Sequence, residues 1–431
     1  MACGLFNNPA IGIHWQAMQL FLLAALLAQN FTDIKPAPQQ VAWQDLEIGV
    51  LFHFGTNTFL DREWGDGTAD AKVFQPAKLD ADQWVAAAQS AGAKYVILVA
   101  KHHDGFCLWP TRQSQYSVKA SPWRGGNGDL VREVERAARK RGMGFGIYLS
   151  PWDRHEPKYR DSKAYDEYYK SQVTELMRYG DLTEWWLDGA GSEGHVYDFD
   201  RYVDTLRTYQ PNTVIFADVG LLPYGDARWV GNESGLALET NWNVIDRRGY
   251  LRYRPAEADT PLRDGHWFWH PNAEGKLKSV EALLDTYHKT VGRGAQLVLG
   301  LAPDDRGLMP DVDVARLAEF GEAVKALYAN NLATNAAQSA TGSVAAFAQP
   351  KTFDRTVAME WLAEGQHIAN YAIEASDDGR VWKILYRGTT VGHKKIDIFP
   401  RTTARQVRLR ILNASGTPKI REFGVFDGGG K

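Results

Sequence analysis

From about residue 45 the chain alternates short apolar runs, rich in β-branched and aromatic residues, with amphipathic stretches of helical period. That alternation marks βαβ units arranged around a parallel sheet. The runs at 48–54 (IGVLFHF), 94–100 (KYVILVA), 143–149 (MGFGIYL), 183–188 (TEWWLD), 213–218 (TVIFAD) and 295–303 (AQLVLGLAP) are short and mostly apolar. Such continuity predicts strands buried on both faces. Between them ADQWVAAAQSAG, GDLVREVERAARKRG, KAYDEYYKSQVTELMRYG and DFDRYVDTLRTY predict helices, with Asp129 as an N-cap. VEALLDTYHKTVGRG and DVDVARLAEFGEAVKALYA extend the series. About eight units in about 290 residues predict a (β/α)8 TIM barrel. Two of its strands have to come from residues 226–270, where RWVGNE and GHWFWH are the candidates.

After about residue 332 the texture changes. ATNAAQSATGSVAAF reads as a linker, and TVAMEWL, NYAIEASDDGRVWKILY, KKIDIFP, RQVRLRILN and REFGVFD then alternate at strand period. This predicts a C-terminal antiparallel β-sandwich over 332–431, behind a barrel over 30–331. Residues 18–28, MQLFLLAALLA, are too short to span a bilayer and match the apolar core of a signal peptide. A leader over 1–29 and export to a periplasm or beyond are therefore expected, against the alternative of a buried apolar helix.

At 431 residues the chain exceeds what one core usually serves, in keeping with two domains. A formal charge of −3 offers no basic footprint for nucleic acid and no attraction to anionic membrane, so a neutral substrate fits better. Cys3 and Cys107 are too few and too far apart for a disulfide framework or a cysteine metal site. Fifteen Trp and eighteen Tyr are a heavy load, and their flat apolar faces with polar edges suit the CH-rich faces of sugars as well as a core.

In a parallel barrel, catalytic groups stand at the carboxyl ends of strands. His53 ends the first run, His102 and His103 with Asp104 end the second, Tyr148 lies in the third, Asp188 ends the fourth, and Glu233 follows RWVGN. Asp188 comes after mostly apolar residues and before Gly189, so it is either exposed at a turn or a helix cap. Adjacent histidines on a strand point to opposite faces, so both of His102 and His103 reach a pocket only from beyond the strand end. Glu63 and Trp64 place a carboxylate beside an indole on the loop after the first strand, a pair that can hold a diol and stack on a sugar face. A metal site built from His53, His102, His103 and Asp188 is the competing use, although no HxH or HExxH spacing is present.

Taken in order, FHFG with EWGDG, AKHHDGFCLW, GIYLSPWD, WWLDG, RWVGNE and LVLGLAPDDRGLM resemble glycoside hydrolase family 29, the α-L-fucosidases, over most of residues 45–305. The resemblance implies a retaining mechanism with Asp188 as nucleophile and no cofactor. It implies fucose hydroxyls bound by His53, Glu63, His102, His103 and Tyr148, with Trp64 and Trp186 lining the pocket and a fucosylated oligosaccharide as partner. RWVGNE resembles the branch selective for α-1,3 and α-1,4 linkages, which makes Glu233 the general acid/base, with Glu239 as its rival. A retaining pair acts with its carboxyls about 5 to 5.5 Å apart. Trp267 and Phe268 are candidates for the apolar patch that a 6-deoxy sugar requires, for the leaving-group subsite, or for simple core aromatics. SDDGRVW resembles discoidin-like modules, for which packing on the barrel is the plain reading. A metal-dependent hydrolase and a catalytically silent sugar-binding protein are the alternative functions.

Overall fold

The computed structural model describes residues 33–189, 194–217, 224–245, 251–339 and 341–429. The expected leader lies outside them, as does Asp218 at the end of the fifth expected strand. Eight parallel strands close into a barrel: β1 (Ile48–Phe52), β2 (Tyr95–Lys101), β3 (Gly144–Leu149), β4 (Glu184–Leu187), β5 (Val214–Ala217), β6 (Ala227–Trp229), β7 (Ala256–Pro261) and β8 (Gln296–Leu301). Strand alternation divides their side chains between two cores. Val50, Phe52, Val96, Leu98, Ile147, Trp185 and Ile215 pack outward in the core shared with the helices. Leu51, Ile97, Val99, Tyr148, Trp186, Phe216 and Val298 fill the barrel.

The helices are α1 (Pro38–Gln44), α2 (Thr56–Leu60), α3 (Ala81–Ser90), α4 (Leu130–Lys140), α5 (Ser162–Leu176), α6 (Phe199–Tyr209), α7 (Val280–Thr290) and α8 (Asp311–Tyr328). Asp80, Asp129, Asp161, Asp198 and Ser279 each cap a helix through the N–H three residues on. Each such cap is worth about 1 kcal/mol and fixes where a βα loop ends. The first helix stops the amino end of the barrel: Trp43 packs on Val214 and Ala227, and its indole donates to Glu184 at 3.1 Å.

One expectation is corrected. GHWFWH is not a strand but part of the loop after β7, and the seventh strand is AEADTP. It carries no apolar run because inward positions of β7 hold carboxyls, Glu257 and Asp259, while the outward ones are Ala256, Ala258 and Thr260. Among the described residues no α-helix lies between β5 and β6 or between β6 and β7, and a small hairpin (Val244–Ile245 with Arg252–Tyr253) occupies the second gap.

The C-terminal region is antiparallel: β9 (Ala337–Ser339), β10 (Gly342–Glu360), β11 (Ile368–Ser376), β12 (Lys383–Gly388), β13 (Lys395–Ala414) and β14 (Ile420–Phe426). Instead of two separate sheets it is one six-stranded sheet in which the long β10 and β13 run side by side and β14 pairs with β10. Register shifts at Ala346/Lys351 and Phe353/Arg355 let the long strands bend around one core that includes Phe353, Tyr371, Leu409 and Phe423.

Candidate active site

A pocket of about 230 Å³ opens at the carboxyl end of the barrel, lined by Leu51, His53, Glu63, Trp64, His102, His103, Tyr148, Trp186, Asp188, Phe216, Trp229, Glu233, Asp259 and Trp267. Its volume is near the lower end for ligand clefts, about 300 to 1,000 Å³, and matches a single small ring. Of the residues expected from sequence, all but Phe268 line it. Phe268 is 1% exposed and sits behind the pocket, edge-on to His53 and His102, where it holds the two imidazoles in place. Of the readings open to Phe268, its burial fits the core aromatic.

Strand geometry accounts for the convergence. On β4, Glu184, Trp186 and Asp188 recur at period two, so the residue after the last apolar turn points where Trp186 points. Trp186 itself stacks on Phe216 of β5, with ring centroids 3.9 Å apart. His102 and His103 follow the end of β2 directly, which frees both from strand alternation, and both reach the pocket. Gly300 of β8 is needed for room, since a Cβ there would come within 2.5 Å of the Trp267 ring.

The Asp188 carboxylate accepts from the Tyr148 hydroxyl at 2.7 Å, and His103 Nε2 lies 3.7 Å from the same oxygen. Ser150 donates to the Trp152 carbonyl at 2.8 Å, so at 2.7 Å it can only accept from His103 Nδ1. Burial holds His103 below its usual pKa although the charge of Asp188 opposes the shift. A neutral His103 with its proton on Nδ1 turns a bare Nε2 toward the carboxylate. Two acceptors facing one space call for a hydroxyl donor. Burial, followed by the neighbouring His103, pushes His53 down to about 3, and burial likewise holds His102 well below its usual value. Three neutral imidazoles suit an uncharged polyol.

Glu63 is fixed from the far side of the loop. It accepts from the Trp267 N–H at 2.9 Å and from His270 Nε2 at 2.5 Å, while His270 Nδ1 bonds Asp61. Burial disfavours charge on His270, but its bonds to Asp61 and Glu63 outweigh burial and raise its pKa. Glu63, His266 and His270 also have the spacing of a metal cluster, the one such group among the described residues. Since His270 Nε2 is engaged by Glu63, an ion would have to displace that bond. His53, His102, His103 and Asp188 do not form such a group.

Glu233 is exposed at the rim and accepts from the Trp267 indole at 3.1 Å. Its rival Glu239 is elsewhere. It pairs with Arg293 at 3.0 Å and with Lys395 of β13, and accepts from the Tyr386 hydroxyl at 2.8 Å. Although burial would raise its pKa, these partners lower it, the opposite of what an acid requires. Glu239 belongs to the seam between barrel and sheet, next to Asn241 N–H donating to Thr390 and Asn243 N–H donating to Gln366.

Sequence reasoning missed Asp259, which closes the floor of the pocket on β7, and Trp229, whose indole donates to it at 2.5 Å. The available signal was AEADTP itself, in which acids alternate with alanines at strand period. Ser150, His266 and His270 were also missed, since each acts through another side chain that a linear motif does not connect.

The alpha-L-fucosidase family model matches residues 68–327. Alpha-L-fucosidase 1 of Arabidopsis thaliana is 37% identical over 94% of this chain and 90% of its own length. Among solved structures, a glycoside hydrolase family 29 member from a rumen bacterium is 33% identical with a TM-score of 0.85, covering 92% of this chain and 78% of its own. A Ruminococcus gnavus fucosidase of the same family, solved in complex with fucose, is 28% identical with a TM-score of 0.83, covering 92% and 95%. A parallel barrel with its acidic, sugar-sized pocket at the carboxyl end and these relatives over nearly its whole length together establish that the chain belongs to the alpha-L-fucosidase family of glycoside hydrolases.

Proposed function

We propose that the protein is a retaining α-L-fucosidase that removes terminal α-linked L-fucose by double displacement, with Asp188 as nucleophile and Glu233 as general acid/base. The observation that carries this reading is the meeting of both carboxylates in one monosaccharide-sized pocket with three buried histidines. In the first step an Asp188 oxygen bonds the anomeric carbon as the glycosidic bond breaks, and the Glu233 proton goes to the leaving oxygen. Glu233 then takes a proton from water, the oxygen of that water bonds the anomeric carbon, and the bond to Asp188 breaks. Tyr148 orients the attacking carboxylate. Leu51, Trp186 and Phe216 offer the apolar surface that a C6 methyl needs, and the half-exposed Trp64 and the rim residue Trp267 are placed for the leaving group.

Selectivity for α-1,3 and α-1,4 linkages is part of the proposal and is supported by the RWVGNE segment that carries Glu233. Export is a further part, supported by the apolar run at 18–28. The test is a substrate panel with purified enzyme, with and without EDTA. Fucose release from branched Lewis-type trisaccharides, little from α-1,2 and α-1,6 fucosides, and no effect of chelator are expected. Loss of activity with EDTA would favour a metal-dependent hydrolase acting through Glu63, His266 and His270, and fucose binding without any release would favour a silent sugar-binding protein.

A further inference from the structure

Asp259 turns into the barrel from β7, two residues beyond Glu257. It is 5% exposed, yet it lines the pocket together with Asp188 and Glu233. One carboxyl oxygen accepts from the Trp229 indole at 2.5 Å. The charges that bear on it are those of Glu233 from the loop after β6 and Asp188 just past β4, with Glu257 below it on its own strand; His53, His102, His103 and Tyr148 share the pocket, and Val298 is its partner on β8. No lysine or arginine is among the described residues lining the pocket. Several carboxyls around one small cavity cannot all ionise cheaply, and the most buried keeps its proton longest. Burial, reinforced by the charges of Glu233 and Asp188 and partly offset by the Trp229 bond, pushes Asp259 up to about 7.

We propose that Asp259 contacts the bound sugar as a neutral carboxylic acid, donating a hydrogen bond from its second oxygen to a sugar oxygen while Trp229 holds the first. The proposal rests on the fucosidase reading and adds to it a third working carboxyl. Ionised, Asp259 would lose its donor, face the sugar oxygens with negative charge and crowd Asp188 and Glu233 with another anion. Activity should therefore decline as pH rises through the range in which this proton leaves.

The experiment is kcat/KM against pH from 5 to 9 with 2,4-dinitrophenyl α-L-fucoside. Its leaving group needs little protonation, so the ionisation of Glu233 does not dominate the alkaline limb. The wild type should decline above about pH 7, approaching tenfold per pH unit. Asp259→Asn, whose amide still donates, should stay within about tenfold of wild type at pH 5 to 6 and should not share that decline, whereas Asp259→Ala should be about 100-fold lower throughout. Trp229→Phe should move the decline to higher pH, because the lost N–H stabilises the anion. The proposal is overturned if Asp259→Asn keeps the wild-type decline, if it is inactive at every pH with an unchanged melting temperature, or if Asp259→Ala matches wild type. Should Asp259→Asn fail to fold, an unmoved decline in Trp229→Phe would overturn it. A wild type that turns over no fucoside at all would instead contradict the fucosidase reading.

Discussion

Asp188 and Glu233 are both carboxylates in one pocket, but their surroundings divide the work between them. Asp188 is three-quarters buried and accepts from Tyr148, which suits the attacking role proposed for it, whereas Glu233 is exposed at the rim, which suits the acid/base role proposed for it. Glu233→Ala should cost about 100- to 1,000-fold in kcat/KM on an oligosaccharide, whose leaving oxygen must be protonated, and far less on a dinitrophenyl fucoside. Azide should accelerate the second step in that variant. Equal losses on both substrates would remove Glu233 from the acid/base role. The three pocket histidines are buried, and the Ser150 bond to His103 Nδ1 shows how an unobtrusive residue decides which ring nitrogen a conspicuous one turns to the pocket.

The loop that leaves β6 carries Glu233 and then runs directly into the seam with the C-terminal sheet. Six residues on, Glu239 joins Arg293 at the base of β8 to Lys395 and Tyr386 of the sheet, and Asn241 and Asn243 continue the seam. The side chain of Lys395 is 2% exposed, so removing its carboxylate partner strands a buried charge. Glu239→Ala should lower stability by roughly 1 to 3 kcal/mol, after allowance for the exposure of Glu239 itself. If Glu233 is the acid proposed, the variant should also weaken turnover of oligosaccharides more than of activated aryl fucosides, since it loosens the loop that carries Glu233. Unfolding curves alongside the two substrates measure both effects, and an unchanged melting temperature would show that the seam does not depend on this contact.

At the scale of the whole molecule, the barrel was legible wherever its strands are apolar on both faces. The six runs nominated from hydrophobicity alone all fall on barrel strands, and RWVGNE begins inside β6. The seventh strand was hidden because the interior of this barrel is polar on that side. Glu184 and Glu257 lie against one another beneath the pocket, both fully buried, and Asp259 sits above them. Hydrophobic periodicity finds strands whose insides are oily, and β7 is lined with acids. In the same way Asp188 is legible at a strand end and Glu63 in the loop after β1, while the partners that fix Glu63, Trp267 and His270, lie some two hundred residues away in a loop whose sequence suggests a strand.

The buried acid pair has a measurable consequence. Burial raises the pKa of Glu184 to about 7 and that of Glu257 well above its usual value, so the folded protein holds these protons while the unfolded chain releases them above about pH 4.5. Stability contributed in this way is complete below that pH and is lost as pH rises, at about 1.4 kcal/mol per unit for each group that stays protonated. Glu257→Gln removes one such group, so its melting temperature should gain on wild type between pH 5 and pH 8. A constant difference across that range would mean that the pair is not held protonated.

The central claim is that Asp188 attacks the anomeric carbon. Incubation with 2-deoxy-2-fluoro-α-L-fucosyl fluoride, followed by proteolysis and mass spectrometry, tests it most directly, because the fluorine slows release of a covalent intermediate. The account predicts time-dependent inactivation with one fluorofucosyl group attached at Asp188, and no labelling of Asp188→Ala. Label on another carboxylate, or turnover with inverted stereochemistry and no covalent adduct, would contradict it.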